Sequence, residues 1–76
     1  MTLYGRKDCT LCEDMVSALK SHLSANGVRL QIVDVDSDPA LRARFDWDVP
    51  LVFADEKEIC RHELDVMALK SWLLEV

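Results

Sequence analysis

The chain has 76 residues, half of them hydrophobic, with two glycines, two prolines and a formal net charge of −5. That length admits one domain with a small core, and so apolar a composition with so little glycine and proline argues against disorder. The charge speaks against nucleic acid and anionic membrane as partners, since both need basic surface, and no apolar run approaches the ~18 residues that suggest a membrane span.

Residues 1–4 read as a short strand ended by Gly5. Over residues 10–25 the apolar positions Cys12, Met15, Val16, Leu19 and Leu23 recur at helical spacing. Asn26-Gly27 then stops the helix, because both residues tolerate a left-handed backbone. Residues 30–35 are β-branched and apolar at Ile32, Val33 and Val35, the pattern of a strand covered on both faces. Ser37-Asp38-Pro39 opens a short helix to residue 45, with a capping side chain and proline at the first helical position. Residues 51–54 form a third strand, Asp55-Glu56-Lys57 a turn, and residues 58–61 a fourth strand. Asp65 caps a last helix, with Leu64 and Leu69 spaced as a hydrophobic staple and Val66, Leu69, Trp72 and Leu73 as its apolar stripe. The order is β-α-β-α-β-β-α in one domain spanning residues 1–76, with the first two strands parallel.

Three cysteines are too few, and odd in number, for a secreted disulfide framework. The N-terminus enters a strand directly, without the basic stretch, apolar run and cleavage site of a signal peptide. The expected compartment is the reducing cytoplasm. Two of the cysteines stand as Cys9-Thr10-Leu11-Cys12, where the first strand gives way to a helix. Thiols at this spacing can close a disulfide, and unpaired N–H groups with the helix dipole stabilise a thiolate at a helix N-terminus. In a βαβ setting the motif reads first as thiol redox chemistry; the plainer reading is that both thiols fill space at a helix start. No metal is expected. His22 lies roughly 15 Å along the helix from Cys9 at ~1.5 Å per residue, and Cys9, Cys12, Cys60 and His62 have no established zinc spacing.

Tyr4-Gly5-Arg6-Lys7-Asp8-Cys9-Thr10-Leu11-Cys12 resembles the strand, basic loop and C-x-x-C that open a glutaredoxin. Asp48-Val49-Pro50-Leu51-Val52-Phe53 is similar to that family's Thr-Val-Pro segment entering its third strand. The resemblance covers essentially the whole chain. It implies an α/β, thioredoxin-like fold: a four-stranded mixed sheet with helices on both faces. It also implies a dithiol oxidoreductase in which Cys9 attacks a disulfide and Cys12 resolves the mixed disulfide. Substrate contacts are implied at Arg6, Lys7, Thr10, Leu11, Val49, Pro50, Cys60 and Arg61, with a cis bond before Pro50 and the Val49 backbone pairing with an extended substrate.

The chain departs from the family around the cysteine pair and after the fourth strand. Thr10-Leu11 replaces the usual Pro-Tyr, and Asp8, Glu13 and Asp14 oppose the thiolate that Arg6 and Lys7 assist. Cys60-Arg61 stands where the family has two glycines, and Glu63 and Asp65 follow where it holds the γ-glutamyl carboxylate of glutathione. Cys60 itself reads as a buried strand thiol, with a redox partner or third ligand near the site as the alternative. Trp47 borders a substrate groove or packs on the short helix.

The expected co-substrate is therefore glutathione at best, with no tightly bound cofactor, and the expected partner a disulfide-containing protein or low-molecular-weight thiol. An electron donor served by a flavoprotein reductase of the thioredoxin-reductase type, and a non-catalytic binding module on the same scaffold, are the alternatives. A monomer is expected.

Overall fold

The computed structural model describes residues 1–75. Strands β1 (Thr2–Gly5), β2 (Gln31–Asp34), β3 (Leu51–Ala54) and β4 (Lys57–Arg61) form one sheet in the order β2-β1-β3-β4. β1 pairs parallel with β2 and antiparallel with β3, and β3 pairs antiparallel with β4. Helices α1 (Thr10–Ala25), α2 (Pro39–Phe45) and α3 (Val66–Glu75) complete a thioredoxin-like fold, with a 3-10 turn at Val35–Ser37 between β2 and α2. No helix among the described residues is long and apolar enough to cross a membrane.

Alternation along the central strands creates two cores, because neighbouring strand residues point to opposite faces. Leu3 and Val52 join Met15, Leu19 and Leu23 of α1 and Leu69 of α3 on one face. Tyr4, Leu51 and Phe53 join Val35 and Phe45 on the other, with Leu41 of α2 and Val49 packed against them. The rings of Tyr4, Phe45 and Phe53 meet pairwise with centroids 5.0–5.9 Å apart. Each fully buried leucine contributes about 1.5–3 kcal/mol relative to exposure.

The helix ends follow their side chains. Asp38 accepts the Ala40 N–H at 2.8 Å ahead of Pro39, and Asp65 accepts that of Ala68 at 3.0 Å. α1 closes on Asn26, with Gly27 at φ 68° as the left-handed residue after it.

Three expectations change. β2 is an edge strand rather than one covered on both faces: Ile32 is 53% exposed, and Val35 leaves the strand to be buried in the 3-10 turn. A β-branched run cannot distinguish a central strand from an edge strand; the strand order does. Lys57 joins β4, leaving Asp55-Glu56 as the hairpin loop. The inward stripe of α3 runs through Ala68, Leu69, Trp72 and Leu73, since Val66 lies exposed in the first turn. β4 also carries a bulge: Val52 faces Cys60 and Phe53 faces Glu58, so Ile59 has no partner in register. Ile59 and Cys60 both join the α1–α3 core.

Candidate redox site

The site is built on the β1–α1 junction. Asp8 adopts a left-handed backbone (φ 57°), which aspartate tolerates better than most residues. Cys9 follows in extended conformation as the N-cap of α1. Its Sγ accepts the Cys12 N–H at 3.2 Å, and its carbonyl accepts the Glu13 N–H at 3.1 Å. A sulfur therefore occupies the position where an N-cap oxygen normally satisfies a free helix donor. That donor and the helix dipole favour negative charge on Cys9. Cys12 sits one turn inside, bonded to Cys9 with the Cα atoms 5.2 Å apart, within the usual disulfide span of roughly 4.4–6.8 Å. Cys12 is buried and Cys9 is partly exposed, so an incoming group reaches Cys9 more easily.

Gly5, legible in the sequence only as the end of a strand, has a second role. A Cβ there would stand 3.1 Å from Leu3 Cδ2 and 3.3 Å from Cys12 Sγ. The absence of a side chain lets β1 pass close beneath the inner sulfur.

Arg6 does work that its sequence context does not reveal. Its Nε and one terminal nitrogen hold Asp36 at 3.0 and 3.2 Å. The terminal nitrogens also donate to Asp46 Oδ1 at 2.8 Å and to the Asp46 carbonyl at 3.1 Å. Four of the five guanidinium N–H groups are thus used within the protein. Hydrogen bonds from Arg6 to Asp46 and then Asp36 hold its guanidinium above its ordinary range. Arg6 clamps the end of β1 to the 3-10 turn and the end of α2. Lys7, by contrast, is exposed and has no ion-pair partner among the described residues.

This clamp gives a direct expectation. Arg6→Ala lowers the thermal midpoint, and the loss shrinks in 1 M salt because exposed charges are screened. Arg6→Lys recovers only part of it, since an ammonium cannot reproduce the fork. Thermal unfolding at low and high salt checks both; an unchanged midpoint for Arg6→Ala would contradict the clamp.

Val49–Pro50 is a cis peptide bond, and Pro50 is fully buried. The Pro50 carbonyl accepts the His62 N–H at 2.7 Å, tying the segment after β4 to this loop. Arg61 pairs with Glu58 on its own strand and reaches Asp48 at 3.4 Å. These contacts hold the Glu58 carboxyl below its ordinary range, mainly through the hydrogen bond from Arg61. The structure thus brings Asp48, Val49, Pro50, Arg61 and His62 together. Thr10 and Leu11 are exposed at the start of α1.

Cys60 is a free, buried thiol facing Val52 across the sheet. Burial pushes it up from its ordinary range, with the Asp65 backbone partly opposing. Trp47 does not pack on α2. Phe45 takes the inward position at the helix end, and Trp47, two residues later, is 88% exposed. No three metal-ligating side chains converge among the described residues.

Residues 1–74 match the family described as "Glutaredoxin-like domain (DUF836)". The chain belongs to this glutaredoxin-like family. Among solved structures it is similar to protein Ne2328 from Nitrosomonas europaea, at 29% identity and a TM-score of 0.83, covering 93% of this chain and 86% of that one. It is also similar to protein XcR50 from X. campestris, at 30% identity and a TM-score of 0.72, covering 99% of this chain and 96% of that one. No curated protein matches. The cysteine pair at disulfide distance fits a redox role for this glutaredoxin-like chain.

Proposed function

We propose that the chain is a dithiol thiol–disulfide oxidoreductase with Cys9 as nucleophile and Cys12 as resolving thiol. The observation that carries the reading is Cys9 Sγ seated as the N-cap of α1, accepting the Cys12 N–H, with its disulfide partner one turn inside. In the first step the Cys9 thiolate attacks one sulfur of a substrate disulfide. A Cys9–substrate disulfide forms, and the other substrate sulfur leaves as a thiolate. Cys12 then gives up its proton to solvent and attacks Cys9 Sγ, which breaks the mixed disulfide and releases the second thiolate. The substrate gains two electrons and the protein ends as the Cys9–Cys12 disulfide. A thiol or flavoprotein donor supplies two electrons to reset it.

The substrate is a disulfide-containing protein or a low-molecular-weight disulfide in the cytoplasm. For the upstream donor, a flavoprotein reductase is favoured over glutathione. Cys60-Arg61 leaves no glycine pair for close approach of a tripeptide, and Arg6 and Arg61 are both engaged with carboxylates of the protein itself.

Trapping tests the mechanism. Reduced Cys12→Ser protein mixed with 2-hydroxyethyl disulfide accumulates one adduct per chain, located on Cys9 by peptide mass. An adduct on Cys60 instead, or none, would count against it.

A further inference from the structure

A groove lies between the exposed start of α1 and the segment after β4, and Leu11, which stands between the two cysteines in sequence, is part of its lining. Leu11, Met15, Ala18 and Leu64 give it an apolar lining, and Asp14 on one wall faces the Glu63 and His62 side. Its volume of ≈ 270 Å³ lies below the ~300–1,000 Å³ typical of pockets that enclose a whole small molecule. It has room for a single long side chain. Leu11, two residues from Cys9, is 55% exposed at its edge. His62, on the far wall, is bonded through its backbone to the Pro50 carbonyl. The groove therefore lies between the helix that carries Cys12 and the segment that His62 ties to Pro50.

The charges around it are unbalanced. Arg6 is held by Asp36 and Asp46, and Arg61 by Glu58 and Asp48. Of the charged groups that line the groove, Asp14 and Glu63 have no ion-pair partner among the described residues, and His62 lies 3.9 Å from Asp48. A side chain suited to the groove lays an aliphatic stem on Leu11, Met15, Ala18 and Leu64 and carries a positive end between two carboxylates. Lysine and arginine have that form.

We infer that the substrate is an oxidised polypeptide carrying lysine or arginine beside its reactive cysteine, and that this groove receives the basic side chain. The inference rests on the oxidoreductase reading and adds a substrate class to it. Polypeptides with basic flanks are attracted and seated, whereas the anionic tripeptide glutathione is repelled by the same carboxylates.

The test uses three probes with the reduced full-length protein in single turnover. Two are peptides carrying a cysteine as its mixed disulfide with thionitrobenzoate, with lysine or with glutamate flanking the cysteine; the third is the small neutral 2-hydroxyethyl disulfide. The lysine peptide is expected to react about tenfold faster than the glutamate peptide at low ionic strength, with the preference collapsing in 1 M salt. In Asp14→Asn/Glu63→Gln protein, the rate for the lysine peptide relative to the neutral disulfide should fall severalfold. Using that ratio cancels any general change in Cys9 reactivity or in folded fraction. Equal rates for the two peptides, or a ratio unmoved by the double substitution, would overturn the inference while leaving the oxidoreductase reading intact. Failure to reduce even the neutral disulfide would overturn both.

Discussion

Cys9→Ser protein is expected to reduce disulfides no faster than the uncatalysed background, while Cys12→Ser protein keeps the first attack and stalls at the mixed disulfide. The asymmetry follows from the α1 N-terminus, where Cys9 is partly exposed and accepts a backbone N–H while Cys12 is buried behind it. Magnitudes show where the helix terminus matters most. Lowering a thiol from about 8.5 to about 6.5 raises its thiolate fraction at pH 7 roughly 25-fold. Nucleophilicity falls with basicity by a factor of about 8 over the same interval, so the net gain in attack is only about threefold. In the second step Cys9 is the sulfur that Cys12 attacks and the substrate sulfur is the one that leaves, so the stabilised Cys9 thiolate acts on the first attack. Asp8, Glu13 and Asp14 oppose this stabilisation with only Lys7 unpaired to assist it, so the alkylation midpoint of Cys9 is expected well above ~4. Turnover with insulin disulfides, read for both variants, checks the division of roles. Equal losses without a trapped intermediate in Cys12→Ser would contradict it.

Leu69→Ala is expected to cost about 2–5 kcal/mol, the range for removing a fully buried leucine. Leu69 is wholly inaccessible and is the inward anchor of α3, packing into the core of Leu3, Leu19 and Val52. A domain of this length has a total stability of about 4–11 kcal/mol at ~0.05–0.15 kcal/mol per residue, so the substitution removes a large share and unfolds a marginal chain. Leu74→Ala, on the same helix but 88% exposed, should stay within about 0.5 kcal/mol of wild type. Urea unfolding of the two variants separates them. A loss below about 1 kcal/mol at Leu69 would mean that α3 contributes little to the core.

Much of the fold was legible because local signals and tertiary packing agree. Asp38-Pro39, Asn26-Gly27 and Asp65 act at the helix ends where their chemistry places them, and the cysteine pair lies at the strand–helix junction that its spacing suggests. What was not legible depends on contacts between distant segments. Ile32 is exposed on β2, at one edge of the sheet, and strand order is not written in a strand's own residues. Arg6 looks like a basic residue beside a thiol, and only the return of residues 36 and 46 reveals its clamp. Gly5 looks like a strand terminator until Cys12 Sγ is placed against it. Trp47 follows Phe45 by two residues, and the competition for one inward position cannot be settled without the core.

In the proposed mechanism Cys9 and Cys12 cycle between dithiol and disulfide rather than serving as a fixed structural bridge. The most direct test of that cycling is the reduction potential of the pair, obtained by equilibration in dithiol redox buffers with thiols counted by alkylation and mass. A two-electron transition confined to Cys9 and Cys12 is expected between about −200 and −270 mV, with Cys60 remaining a free thiol. A potential below about −300 mV, in the range of structural disulfides, or a pair that never oxidises, would contradict it.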